Sequence, residues 1–95
     1  MSRPPAKVER VLVALIERPH TTRELEQAPV FDHVAHSTAS ELRRLGVALD
    51  TERVELRGYE GKPAFVARYS IRIGGFDFAR ALLARMRERR GSGGR

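Results

Sequence analysis

Cysteine is absent from the 95 residues, which excludes disulfides, thiolate nucleophiles and cysteine-based zinc sites. Long apolar runs are absent too. The longest, Val11 to Ile16, is far below the ~20 residues that span a bilayer. The first residues, Met1-Ser2-Arg3-Pro4-Pro5, have no apolar core of the signal-peptide kind, so the chain is expected to stay where it is made. Aromatic residues are few, and Tyr59 alone is placed to stack an unpaired base, which argues against single-stranded RNA as the ligand. Lysine is nearly missing: Lys7 and Lys62 stand against sixteen arginines. Arginine carries a planar fork that can bond a phosphate or a guanine edge twice, although a GC-rich coding bias would enrich it as well.

What is present is a strong positive balance, net +6 with a pI near 11.0, in a chain long enough for one core. Such a balance points to polyanions: DNA, RNA or an acidic membrane surface. The charge is unevenly spread. Residues 1–50 hold seven basic and seven acidic side chains, residues 51–75 five against three, and residues 76–95 six against two.

Val8, Val11, Leu12, Leu15 and Ile16 recur at helical spacing and predict a first helix that ends before Pro19. Thr21-Thr22-Arg23-Glu24 matches a capping box and predicts a short helix over 23–27, anchored by Leu25. Ala28-Pro29 breaks it, and Val30-Phe31-Asp32 reads as a turn with two apolar plugs. A third helix is expected over 33–45, stopped by Gly46. Its inner face is Val34, Ala35, Thr38, Ala39, Leu42 and Leu45. Its outer face is His33, His36, Ser37, Ser40, Arg43 and Arg44.

Beyond Gly46 the period changes to two. A short strand is expected at Val47–Leu49, then a β-hairpin from Arg53 to Ile71 with its tip at 58–63. Gly74-Gly75 separates the hairpin from a basic amphipathic helix over 76–90. Asp77 is its expected cap, Phe76 a staple against Ala81, and Phe78, Leu82 and Met86, with Leu83, its apolar row. The tail, 91–95, is expected to be disordered.

Helix, short helix, helix and hairpin is the order of a winged helix-turn-helix. The chain resembles the small winged helix-turn-helix proteins of bacteriophages and prophages. The resemblance rests on Val11-Leu12-Val13-Ala14-Leu15 with Thr21-Thr22-Arg23-Glu24-Leu25-Glu26, on Ser40-Glu41-Leu42-Arg43-Arg44-Leu45-Gly46-Val47, and on Gly61-Lys62-Pro63 with Val66-Ala67-Arg68-Tyr69. It covers about two thirds of the chain, positions 8 to 71. The linker 27–33 is longer than a tight turn, and the helix from Asp77 lies outside the resembling part.

The resemblance implies an α+β fold, a three-helix core with a hairpin wing over 1–75, carrying the additional C-terminal helix. It implies a double-stranded DNA-binding role in the bacterial cytoplasm or nucleoid, in transcription or in recombination of a mobile element. Residues 33–45 would enter the major groove, with His33, His36, Ser37 and Ser40 at base edges and Arg43 and Arg44 at phosphates, unless one of the two reads guanine. Thr22 and Arg23 at the second helix, and Arg57, Lys62 and Arg68 on the wing, would meet phosphates or the minor groove. A homodimer through the last helix would give two half-sites. The alternative is a winged helix that docks on a replication or recombination protein.

Chemistry finds little support. Asp32, His33 and His36 lack a fourth metal ligand. Ser37 beside His36 is adjacency in sequence, without an orienting acid. Gly74-Gly75 lacks the spacing of a phosphate-binding loop. Phe78, Leu82, Leu83 and Met86 are too few apolar residues for a membrane-surface helix. No cofactor and no catalytic residue is expected.

Overall fold

The computed structural model describes residues 6–92, except for the side chains of Tyr59 and Ser92. Met1–Pro5, the last part of the expected tail and the stacking surface of Tyr59 lie outside the described residues. Four helices and a three-stranded antiparallel sheet follow one another as α1 (Lys7–Glu17), β1 (His20–Thr21), α2 (Thr22–Glu26), α3 (Ala35–Arg44), β2 (Leu49–Arg57), β3 (Pro63–Ile71) and α4 (Phe76–Ser92). The class is α+β. Among the described residues, no helix is long and apolar enough to cross a membrane.

The core forms where the apolar stripes of α1, α2, α3 and α4 meet one end of the sheet. Val11, Leu12 and Leu15 of α1, Leu25, Leu42, Leu49, Tyr69, Ile71, Ala79 and Leu83 are all buried. Each fully buried leucine contributes about 2 kcal/mol through water exclusion, so this cluster outweighs any single polar contact.

The sheet order is β1-β3-β2, with β3 in the middle. Register runs from Leu49 opposite Ile71 to Arg57 opposite Pro63, while His20 and Thr21 lie opposite Tyr69 and Arg68. The two strands expected at Val47–Leu49 and Arg53–Arg57 are one strand: the ladder with β3 carries Asp50, Thr51 and Glu52 through without a break. The two-residue β1 was not expected, being too short to show a period.

Local chemistry sets the helix boundaries. Thr21 accepts the Glu24 N–H and the Glu24 carboxylate accepts the Thr21 N–H, the expected capping box. Asp32 is the turning point before α3, and it is fully buried. Its N–H donates to the Leu25 carbonyl at 2.7 Å, its Oδ1 accepts the Val34 N–H at 2.9 Å, and the Lys7 ammonium stands 3.8 Å away. These bonds hold residues 33 and 34 in a turn, so α3 starts two residues later than expected. Of the two expected plugs only Val30 is buried; Phe31 points outward. Val34 and Leu45, expected on the inner face, are exposed at the two ends of α3. Gly46, at φ +103°, reverses the chain after α3, as expected of a glycine there. The Phe78 ring lies so close that a Cβ on Gly46 would meet its Cζ at 2.8 Å.

At α4 the capping expectation fails. A tight turn, with the Gly75 N–H donating to the Arg72 carbonyl at 2.8 Å, starts the helix at Phe76. Asp77 therefore sits inside the first turn, exposed and 3.6 Å from Arg80. Phe76 packs against the core with the Arg80 guanidinium over its ring, while Ala81 is exposed. The helix also continues through Gly91 and Ser92.

α4 is clamped to α1 by charge as well as by packing. Arg90 donates from Nε to one Glu9 oxygen at 3.1 Å and from Nη2 to the other at 2.8 Å. Glu9 is buried although it does not belong to the apolar stripe of α1. Truncating one partner of a buried ion pair strands the other in a poorly solvated place. Glu9→Ala is therefore expected to lower the unfolding free energy by about 2–3 kcal/mol in urea titration, against less than ~0.5 kcal/mol for Glu88→Ala, an exposed carboxylate on α4.

Candidate nucleic-acid interface

The outer side of α3 divides into three strips at helical spacing. His33, Ser37, Ser40 and Arg44 stand at i, i+4, i+7 and i+11, all exposed, with no side-chain partner among the described residues. This strip is short and polar at its start and cationic at its end. Its hydrogen-bonding groups face solvent.

The second strip, His36 and Arg43, belongs to the sheet instead. A hydrogen bond joins His36 Nδ1 to the Tyr69 hydroxyl, and the two rings meet edge to face at 5.9 Å. The Arg43 guanidinium stands 5.9 Å from the Tyr69 ring centre, donates to the Leu49 carbonyl at 3.3 Å and also bonds the Thr51 hydroxyl. Burial pushes the Tyr69 phenol above its ordinary pKa, with Arg43 pulling the other way. The hydroxyl is therefore protonated at neutral pH. His36 was expected at base edges, and Arg43 at a phosphate or a guanine. Here they fasten the helix to the hairpin.

The third strip is Val34, Glu41 and Leu45, exposed on the flank away from Tyr69.

β2 and β3 run on past this junction. From Thr51, level with Tyr69, to Arg57 the strand travels about 20 Å. On the face shared with Tyr69, Arg53 lies over the Phe65 ring at 4.0 Å, and both are exposed. Arg57 closes that face at the tip. Lys62 is exposed in the turn beside it, its carbonyl accepting the Gly58 N–H at 2.7 Å. Arg57 and Lys62 have no side-chain partner among the described residues.

Arg68 is placed differently. It alternates with Tyr69, so it points to the opposite face of the sheet, where it is bonded to Glu52. There it shares a shallow groove with Arg23 and Thr21 of the α2 start and with Val54 and Leu56. Thr22 is half-buried at that helix start. The capping box already uses the Thr21 and Glu24 N–H groups. The Thr21 backbone bond, with Arg18 at 2.9 Å, holds the Glu24 carboxyl below the usual glutamate pKa. Apart from His36 and Arg43, the expected site residues thus fall into two groups. His33, Ser37, Ser40, Arg44, Arg57 and Lys62 belong to the α3 and wing-tip surface. Thr22, Arg23 and Arg68 belong to the α2 side.

On α4, Leu82, Leu83 and Met86 pack inward. Leu82 and Met86 are partly covered there, so a dimer through this helix, expected from that row, would rest on the exposed side of α4, with Phe78, Ala81, Ala84 and arginines 85, 87 and 89. A second depression runs between α1, the 28–30 loop and the end of α4. Its floor is Val13, Ala14, Pro29 and Val30, and Arg87 and Arg90 stand on its rim.

No family model, no curated protein and no solved structure matches the chain.

The junction at Tyr69 makes a definite prediction. Tyr69→Phe is expected to cost about 1 kcal/mol of stability. His36→Ala and Tyr69→Phe combined are expected to fall short of additive by about 0.5–1 kcal/mol in a double-mutant cycle of urea unfolding. Additive losses would mean that the two side chains are not coupled.

Proposed function

We propose that this protein is a winged helix-turn-helix that binds double-stranded DNA, with α3 in the major groove and the β2–β3 hairpin as the wing. The observation that carries the reading is the strip His33, Ser37, Ser40 and Arg44. It is exposed, with no side-chain partner among the described residues, on a helix whose neighbouring strip is tied to the β2–β3 hairpin, which carries Arg57 and Lys62 at its tip. The element order through β3, and β1 pairing beside β3, support the fold half of the reading. The three-helix order with a hairpin is the arrangement in which a second helix crosses the backbone and a third enters the groove.

Roles follow from chemistry and position. His33, Ser37 and Ser40 are short donors and acceptors suited to base edges. Arg44, at the helix end, bonds a phosphate or takes guanine in two places. Arg57 and Lys62 at the wing tip neutralise phosphates or enter the minor groove. His36 and Arg43 orient α3 against the wing. Arg23 and the α2 start approach the backbone on the other side. A single domain of this size reads few base pairs, so regulation or recombination at a defined site favours two copies about one helical turn apart.

A second reading has one observation behind it. The depression between α1, the 28–30 loop and α4 has an apolar floor and a charged rim, as a docking surface for a protein would. Salt separates the two. Binding through several phosphates weakens steeply as salt rises, while an apolar contact does not.

The test is selection of bound sequences from a random duplex pool at near-physiological salt. Enrichment of one motif by the wild type is expected, altered or lost with Ser40→Ala and Arg44→Ala. Arg57→Ala and Lys62→Ala are expected to weaken all duplexes alike and to lower the salt slope by about one unit each. Binding without a motif would remove the base-reading role of α3. No binding to duplex at any salt would overturn the proposal in favour of a protein partner.

A further inference from the structure

The start of α3 presents two large apolar side chains that the fold does not use. Phe31 is 59% exposed and Val34 50% exposed, while Asp32 between them is wholly buried. The exposure is built in. The Phe31 N–H donates to the Gln27 carbonyl at 2.9 Å and the Asp32 N–H to Leu25, which fixes the backbone on both sides. Phe31 is held there at φ +53°, a conformation bulky residues rarely take. A glycine would adopt it without strain and without exposing a ring to water. Phe31 thus leaves more than half of its surface to solvent at a backbone conformation that suits glycine better.

Both residues stand at the end of the reading helix that meets base edges in helix-turn-helix complexes. They adjoin His33 and Ser37, the first members of the polar strip. Val34 lies on the flank away from the wing, so nothing in the hairpin covers it. Major-groove base edges carry donors, acceptors and one apolar group, the 5-methyl of thymine.

Resting on the DNA-binding reading above, we infer that Phe31 and Val34 form an apolar contact for thymine 5-methyl groups at the edge of the site read by His33 and Ser37. The preferred sequence then contains thymine at one or two positions near the α3 start, recognised by the methyl group and not by a hydrogen bond.

Uracil is the direct probe, because it pairs like thymine and lacks only the methyl. A duplex from the selection above is synthesised with each thymine replaced in turn by deoxyuridine, and affinities are measured by fluorescence anisotropy. Loss of one buried methyl corresponds to about fourfold weaker binding. The wild type is expected to lose about that much at one or two positions and nothing elsewhere. Phe31→Gly, which keeps the left-handed backbone, and Val34→Ala are each expected to erase the difference at one of them. Both sites are exposed, so thermal unfolding should show the variants folded. Tight binding that ignores every substitution would overturn the inference and leave the DNA reading intact. A uracil effect that persists in both variants would overturn the assignment to these residues. Failure of the wild type to bind any duplex would overturn the function and the inference together.

Discussion

Tyr69 is where the sheet and α3 are joined. It sits in the middle strand, opposite His20 on one side and Thr51 on the other. Its ring is buried, its hydroxyl meets His36, and Arg43 closes over it while holding Leu49 and Thr51 of the next strand. Because these bonds end on backbone or on side chains in the ladder, tilting α3 against the hairpin would break several of them at once. The outer halves of β2 and β3, from Arg53 and Ala67 onward, inherit their direction from this point. On the proposed function such a fixed angle favours binding, since mobility between helix and hairpin would otherwise have to be frozen on a rigid duplex.

Apart from Arg10, bonded to the Val30 carbonyl, and Arg53, over the Phe65 ring, the described arginines divide into two populations. Arg18, Arg68, Arg72, Arg80 and Arg90 face carboxylates within the chain, and Arg43 is committed to the sheet. Of these pairs, only Arg90 with the buried Glu9 carries much stability; exposed pairs contribute little. Arg23, Arg44, Arg57, Arg85, Arg87 and Arg89 are exposed without a carboxylate partner among the described residues. Asp32 works in the opposite sense. A full carboxylate is buried at the start of α3, with one oxygen bonded to Val34 and the other lacking a partner among the described residues. Burying it so incompletely is costly, and what it secures is the turn that faces Phe31 and Val34 outward.

Much of the architecture is legible in the chain because its signals are local. The stripe of α1, the Thr21–Glu24 capping box, Gly46 after α3 and the alternation around a glycine-rich tip all depend on neighbours within a few positions. What escaped depends on distance or on brevity. Glu9 and Arg90 are 81 positions apart, and no pattern links them. β1 has two residues and hence no period. The helical wheel correctly separates Leu42 and Ala39 from Ser37 and Ser40, but it cannot tell that the sheet lies beside His36 and Arg43. The same limit hides Phe31 and Asp32, since hydrophobicity ranks them the wrong way round: backbone bonds at Leu25 and Gln27 turn the acid in and the ring out. Asp77 looked like a cap because the tight turn that starts α4 at Phe76 is set by Arg72 and Gly75, upstream of it.

The central claim is that α3 and the wing tip face DNA together while the α1–α4 side faces away. The most direct measurement is a titration of uniformly labelled protein with a short duplex, followed through backbone amide chemical shifts. The account predicts that shifts concentrate at residues 31–44 and 57–62 and fade together as salt is raised. Shifts confined to the depression lined by Val13, Pro29 and Arg87, or a spectrum indifferent to duplex at low salt, would contradict it.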